Sequence, residues 1–357
     1  MATIKLVFVL FLGKSISGIN RGVDISDCVI WRFKVGDIET AQKDDIGTKQ
    51  NNISGPEVRH VAFFKVHKAA SSTAMNIFLR FGYKRNLIFV LPSSDSNSVW
   101  QEPYLLKLPL HNPVYNLLKY SELYEPENPV ESWTNNRQSV DFGFPSDLFK
   151  NSDPSKIHTY LQQLNSDFRL VMIAEYFDES VILLRRYVNW TMKDILYISK
   201  NIQRYNRRPF KSEYELRYLH RLRAPLDYAL YDFFIKVFWQ KVSQEGGNFH
   251  EEVVYFRKLR LAVENFCRQN TREPKITFTA TESRWHELFT IQNEDCNLLL
   301  TPEVTFTEII RYKQYPEIRT KLWPKPKNIR RYRKGRGEAL GQQWINQNDK
   351  IFRQKIK

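Results

Sequence analysis

The first apolar stretch is a run of seven, Leu6-Val-Phe-Val-Leu-Phe-Leu12, behind Lys5. Its length suits the hydrophobic region of a secretory signal and falls short of the roughly 20 residues of a membrane span. A buried strand is the alternative. Residues 20–57 are polar and read as a stem or linker. Val61-Ala-Phe-Phe64 then predicts a buried strand, followed by a polar loop from Lys65 to Ser71. Ala74, Ile77, Phe78 and Phe81 fall at i, i+3, i+4 and i+7, the stripe of an amphipathic helix, with Gly82 placed to end it. Leu87-Ile-Phe-Val-Leu91 predicts a second strand. Strand, loop, helix and strand make a βαβ unit, so an α/β fold with a central parallel sheet is expected.

Pro92–Asp167 carries little periodicity apart from a helical pattern over Ile157–Leu164. Leu170-Val-Met-Ile-Ala174 predicts another buried strand. Phe177, Val181, Leu184 and Val188 form a helical stripe behind Asp178, a residue type suited to the N-cap. Further helices are expected around Asp194–Asn201, Tyr214–Leu222, Pro225–Gln244 and Glu251–Arg268, so the second half is largely helical. The expected organisation is a signal or short membrane anchor over 1–19, a stem over 20–57, one domain over 58–325 and a basic tail over 326–357.

With 42% hydrophobic and 26% charged residues, the 357-residue chain has the means to bury a large core, which excludes disorder over most of its length. The net charge of +15 suggests a nucleic-acid binder until it is located. Between Arg319 and Lys357 stand 13 Lys/Arg against 2 Asp/Glu, so that terminus carries most of the charge and the body is nearly balanced. No nucleic-acid partner is expected. Lys325–Arg336 reads as a solvated terminus, with attraction to phosphates or anionic lipid headgroups as the alternative. Three cysteines, Cys28, Cys267 and Cys296, are too few for a disulfide framework, and no C-x-x-C pair suggests zinc. The sequons Asn52-Ile53-Ser54 and Asn189-Trp190-Thr191 favour the secretory reading, and in an oxidising compartment Cys267 and Cys296 are the expected pair.

The chemistry concentrates in Phe64-Lys65-Val-His67-Lys68-Ala-Ala-Ser71-Ser72-Thr73, between the first interior strand and its helix. A helix N-terminus presents unpaired N–H groups and the positive end of the dipole, a seat for phosphate. Ala69, Ala70 and Ser71 are small enough for close backbone approach to an anion. Lys68 adds a full charge, and the hydroxyls of Ser71, Ser72 and Thr73 add donors. G-x-x-x-x-G-K-[ST] is absent, which argues against a Walker-type triphosphatase. An ordinary capped helix is the competing reading. Glu175, Asp178 and Glu179 lie at a strand-to-helix junction, where helix capping is favoured over a catalytic role. Most aromatic side chains fall on helical stripes, which assigns them to the core in preference to a sugar site.

Phe63–Gly82 resembles the 5′-phosphosulfate-binding loop of the galactose-3-O-sulfotransferase family. Asn86–Pro92 resembles the strand that follows in that family. So do Val140-Asp-Phe-Gly-Phe144, Leu170–Leu184 with Ala174-Glu-Tyr-Phe-Asp-Glu-Ser180, and Arg221–Tyr228, with weaker similarity through Cys296 and Thr301-Pro-Glu303. The resemblance implies a P-loop-like sulfotransferase fold. It implies transfer of a sulfuryl group from 3′-phosphoadenosine-5′-phosphosulfate (PAPS) to the 3-hydroxyl of galactose, on a galactosylceramide-like glycolipid or a glycan, without a metal. It also implies a Golgi membrane setting with a lumenal catalytic domain, type II if the N-terminus is an anchor and secreted if it is cleaved. Carried onto this chain, His67 and Lys68 are the expected catalytic residues, His67 as base or as a residue that merely shapes the loop. Lys65, Lys68, Ala69, Ala70, Ser71, Ser72 and Thr73 would hold the donor. The family's second signature, an arginine–Asp/Asn–proline followed by a serine that binds the 3′-phosphate, is not found in Pro92–Val140. A catalytically impaired relative acting as a carbohydrate or nucleotide binder is therefore the alternative.

Overall fold

The computed structural model describes residues 6–12, 28–30, 56–59, 61–66, 70–89, 113–132, 134–199, 213–269 and 276–315. The apolar run at the start is a strand, β1 (Leu6–Leu12), so the strand alternative is the form that it takes. Cys28–Ile30 forms β2 and Val61–Phe64 forms β3. Helix α1 (Ser71–Lys84) follows, running two residues beyond the expected stop at Gly82. Pro154–Asp167 is α2, entered by proline behind Asp153, whose carboxylate accepts from the N–H groups of Ser155 and Lys156. Leu170–Ile173 is β4, buried throughout, and a 3-10 turn over Ala174–Tyr176 leads into α3 (Phe177–Val188). The expected cap Asp178 lies inside α3, and its carboxylate takes the Tyr197 hydroxyl at 2.7 Å and Arg257 Nε at 2.9 Å. Glu179 likewise binds Arg257, at 2.6 Å.

The expected helix at Asp194–Asn201 is instead a single turn, Met192–Ile195, closed by a capping box between Thr191 and Asp194. The other helical expectations hold to within a few residues: α4 (Glu213–Arg223), α5 (Pro225–Ser243) and α6 (Phe249–Gln269). A hairpin, β5 (Phe278–Ala280) with β6 (Phe289–Ile291), leads to α7 (Asn293–Leu300) and α8 (Glu303–Gln314). Cys267 at the end of α6 is bonded to Cys296 in α7, the expected pair.

The chain is mixed α/β and mostly helical, and its sheet departs from the expected one. The strand order is β2-β3-β1-β4, and every pairing is antiparallel. β3 and β4 run in the same direction but do not touch, because β1 lies between them, with Leu10 opposite Phe63 on one edge and Leu170 on the other. The apolar pattern marks a segment as an interior strand but carries no information about its direction. The expected second strand is not formed at Leu87–Phe89 either. There the Gln314 carboxamide takes the place of a strand neighbour, accepting from Phe89 N–H at 2.6 Å and donating to its carbonyl at 2.9 Å. Among the described residues no helix is long and apolar enough to cross a membrane, and Leu6–Leu12, expected as a signal or short anchor with a buried strand as the alternative, is a strand.

The core forms where α1 and α3 cover the sheet. Phe63 stacks on Phe78 at 4.6 Å, Phe81 stacks on Trp190 at 3.6 Å, and Trp190 donates to the Val58 carbonyl at 2.8 Å. Phe78 and Phe81 are thus packing groups, as their helical spacing implied, and Phe63 from β3 and Trp190 from beyond α3 pack with them.

Candidate functional site

The strand-loop-helix read from the sequence begins at the C-terminal end of β3 and ends in the first turn of α1. Ala70 stands immediately before Ser71 in the left-handed conformation (φ 55°, ψ 16°), and no side chain caps the helix among the described residues. For an alanine this conformation costs about 1–2 kcal/mol. A left-handed residue at this position reverses the chain direction at the start of the helix, where main-chain N–H groups are short of intrahelical partners. The Ala70 carbonyl accepts from Thr73 N–H at 2.9 Å, which closes the first turn. Ser71 and Thr73 are buried and Ser72 is half-buried. His67, Lys68 and Ala69 lie outside the described residues.

Lys65 is not a bare cation. Its Nζ lies 2.5 Å from Glu303 Oε1, the first residue of α8. Sequence reasoning gave Glu303 no role, although it had picked out the Thr301-Pro-Glu303 block. α8 lies beside α1 and runs the same way. The Thr301 carbonyl meets Asn76 Nδ2 at 3.4 Å, Phe306 packs edge-on against Tyr83, and Lys313 Nζ reaches Asn86 Oδ1 at 2.6 Å. Both helix N-termini therefore stand at the end of β3 that feeds the loop.

The rest of α1 is fastened by buried polar groups. Asn76 Nδ2 donates to the Leu298 carbonyl at 3.0 Å and its Oδ1 accepts from Arg80 Nε at 3.1 Å. Arg80 also donates to the main-chain carbonyls of Asp194, at 3.0 Å, and Leu196. Burial pulls the Arg80 guanidinium down to about 10. Lys84 pairs with Asp295, which also takes Lys193 at 3.1 Å. A cavity of about 470 Å³ opens beside these residues, lined by Tyr83, Lys84, Lys193, Asp295 and Lys313. It lies at the far end of α1, about 20 Å from the loop at 1.5 Å per residue, and so is separate from it.

A second polar cluster joins the Arg221–Tyr228 stretch to the residues just ahead of Val140–Phe144. Asp227, in the first turn of α5, accepts from Ser139 N–H and Oγ, each at 2.7 Å, and from Gln138 N–H at 3.2 Å. In return Asn136 Oδ1 accepts from Leu226 N–H at 2.8 Å and Asp227 N–H at 3.2 Å. Burial raises the Asp227 carboxyl to about 6 against the lowering effect of the Ser139 hydrogen bonds.

The structure thus sets the segment bearing Lys65 between an interior strand and a helix whose N-terminus has no side-chain cap among the described residues, in a mixed α/β fold. The chain belongs to the galactose-3-O-sulfotransferase family, whose sequence profile matches residues 37–108 and 103–288. It is similar to galactose-3-O-sulfotransferase 3 of Mus musculus, 24% identical over 345 positions covering 73% of this chain and 80% of the mouse protein. It is also similar to galactose-3-O-sulfotransferase 2 of Homo sapiens, 25% identical over 280 positions, 60% of this chain and 70% of that one. Galactosylceramide sulfotransferase of Bos taurus is 25% identical over 275 positions, 58% of this chain and 64% of the bovine protein. No solved structure matches. The two profile segments meet at 103–108, inside the stretch where the second phosphate signature is not found. The mouse alignment also runs over 345 positions, more than 73% of a 357-residue chain fills, so the relative carries stretches with no counterpart here.

Proposed function

We propose that this sulfotransferase-family chain transfers the sulfuryl group of PAPS to the 3-hydroxyl of a terminal galactose, on a glycolipid such as galactosylceramide or on a glycan. The observation that carries the reading is the left-handed Ala70 at the open N-terminus of α1, directly behind the loop that holds His67 and Lys68. Main-chain N–H groups and the hydroxyls of Ser71, Ser72 and Thr73 offer donors to the phosphosulfate oxygens, and the helix dipole favours their charge. In the proposed step, galactose O3 attacks sulfur in line. The bond from sulfur to the phosphate oxygen breaks, and 3′-phosphoadenosine-5′-phosphate leaves. His67 takes the hydroxyl proton, and Lys68 offsets the charge developing on the leaving oxygen. The Cys267–Cys296 bond supports an oxidising, lumenal setting such as the Golgi.

A second reading has its own support. The profile match breaks at 103–108, where the signature for the 3′-phosphate would stand, and this favours a binder with impaired catalysis. Calorimetric titration of PAPS into the purified chain and into Lys68→Ala, with sulfate transfer to a galactoside measured alongside, separates the two. Saturable heat and turnover that both collapse in Lys68→Ala support the enzyme. Heat without turnover leaves a nucleotide binder, and neither heat nor turnover overturns the enzyme and the nucleotide binder and leaves only a carbohydrate binder.

A further inference from the structure

The Lys65–Glu303 pair joins two residues 238 positions apart at the mouth of the loop. Its place is held from both sides. Lys65 follows the buried strand β3, and Glu303 follows the buried Thr301, whose carbonyl accepts from Asn76 on α1. The pair is reachable, with side-chain exposures of 32% for Lys65 and 17% for Glu303. Among the described residues the pairing is the one polar side-chain contact that either makes. It uses one donor of the ammonium and one oxygen of the carboxylate, so both senses of hydrogen bond remain on offer side by side.

Charge decides what such a pair suits. A phosphosulfate brought against Lys65 would also meet the Glu303 carboxylate, a like charge within a few ångströms, and would lose much of what the ammonium offers. A neutral polyol meets no such penalty. Its hydroxyls donate to the carboxylate and accept from the ammonium, and both are charge-assisted bonds of the stronger kind. We propose that Lys65 and Glu303 form the acceptor-side handle of the site, receiving neighbouring hydroxyls of a terminal galactose and directing a third toward the loop. The inference rests on the galactose-directed reading above, and it moves Lys65 from the donor to the acceptor. It also brings α8, beyond the residues matched by the family profile, into the site.

The test uses the full chain, Glu303→Gln and the double variant Lys65→Met/Glu303→Gln, which removes both charges together and so strands neither. Binding of lactose alone is followed by ligand-observed NMR titration. Binding of 3′-phosphoadenosine-5′-phosphate is followed by calorimetry, and thermal melting reports the fold. The expected result is lactose affinity at least about tenfold weaker in Glu303→Gln, the size of a lost charged hydrogen bond, and lost altogether in the double variant. Nucleotide affinity stays within about twofold and the double variant melts within a few degrees of the parent. Unchanged lactose affinity in the variants, no lactose binding by the parent, or a loss confined to the nucleotide each overturns the handle. A parent that binds lactose through these residues but takes up no nucleotide overturns the sulfuryl-transfer reading and leaves the handle standing.

Discussion

Replacing Arg80 by methionine tests how α1 is held in register with the rest of the fold. Arg80 is 3% exposed, and its guanidinium donates to Asn76 Oδ1 and to the main-chain carbonyls of Asp194 and Leu196. Methionine fills most of the volume and removes the desolvation cost of the charge, but it leaves those acceptors buried without their donor. At about 1–3 kcal/mol for each stranded group, less the recovered desolvation, the net loss comes to about 3 kcal/mol. For a domain of this size that lowers the melting temperature by about 6–12 °C. Arg80→Lys keeps the charge but not the planar fork, so a single ammonium cannot serve all three acceptors and an intermediate loss is expected. Urea unfolding followed by tryptophan fluorescence suits the measurement, because Trp190 stacks on Phe81, the next residue along α1. An Arg80→Met protein within about 1 kcal/mol of the parent, against the penalty for stranded buried acceptors, would refute the reasoning. So would an Arg80→Lys protein less stable than Arg80→Met.

Two further outcomes follow from buried groups elsewhere. Asp227 faces Ser139, the Gln138 N–H and, through space, Asp141, and its carboxyl is raised from 3.8 to about 6. In that interval the unfolded chain binds fewer protons at this position than the folded chain, so the contribution of Asp227 to stability falls as pH rises through it, by about 3 kcal/mol in all. Glu57, Asp194 and Asp295 act in the opposite sense. Burial would raise all three, but hydrogen bonds from Arg85, Arg85 and Lys84 respectively pull them below their usual values. The quantity to measure is therefore the difference between the parent and Asp227→Asn from pH 4 to 7, and a flat difference sinks the assignment. Reduction of Cys267–Cys296 opens a loop with a sequence separation of 29 and is expected to cost about 3–4 kcal/mol. It also frees α7, which presents the Leu298 carbonyl to Asn76 and Asp295 to Lys84. Equal melting temperatures with and without reductant would contradict this.

What was legible along the chain is what a single segment settles for itself. The stripe Ala74, Ile77, Phe78 and Phe81 makes α1 because one face of that segment is apolar at helical spacing, whatever it packs against. The buried strand at Leu170–Ile173 and the helices α4, α5 and α6 were readable for the same reason. The loop before α1 was legible as chemistry because cationic, small and hydroxylated residues cluster where a helix starts.

The direction and neighbours of the strands were decided only by the tertiary structure. Leu6–Leu12 has the same apolar pattern whether it pairs with β3 and β4 or serves as a leader, and which holds depends on partners at least 49 residues away in sequence (Leu12 to Val61). Leu87–Phe89 reads as a strand, yet its backbone is met by one glutamine from the far end of the domain. The pairing of Lys65 with Glu303 was equally hidden. A charge shows its type in the sequence, but whether it stands alone or compensated is a matter of distance in space, and the fold brings these two within 2.5 Å.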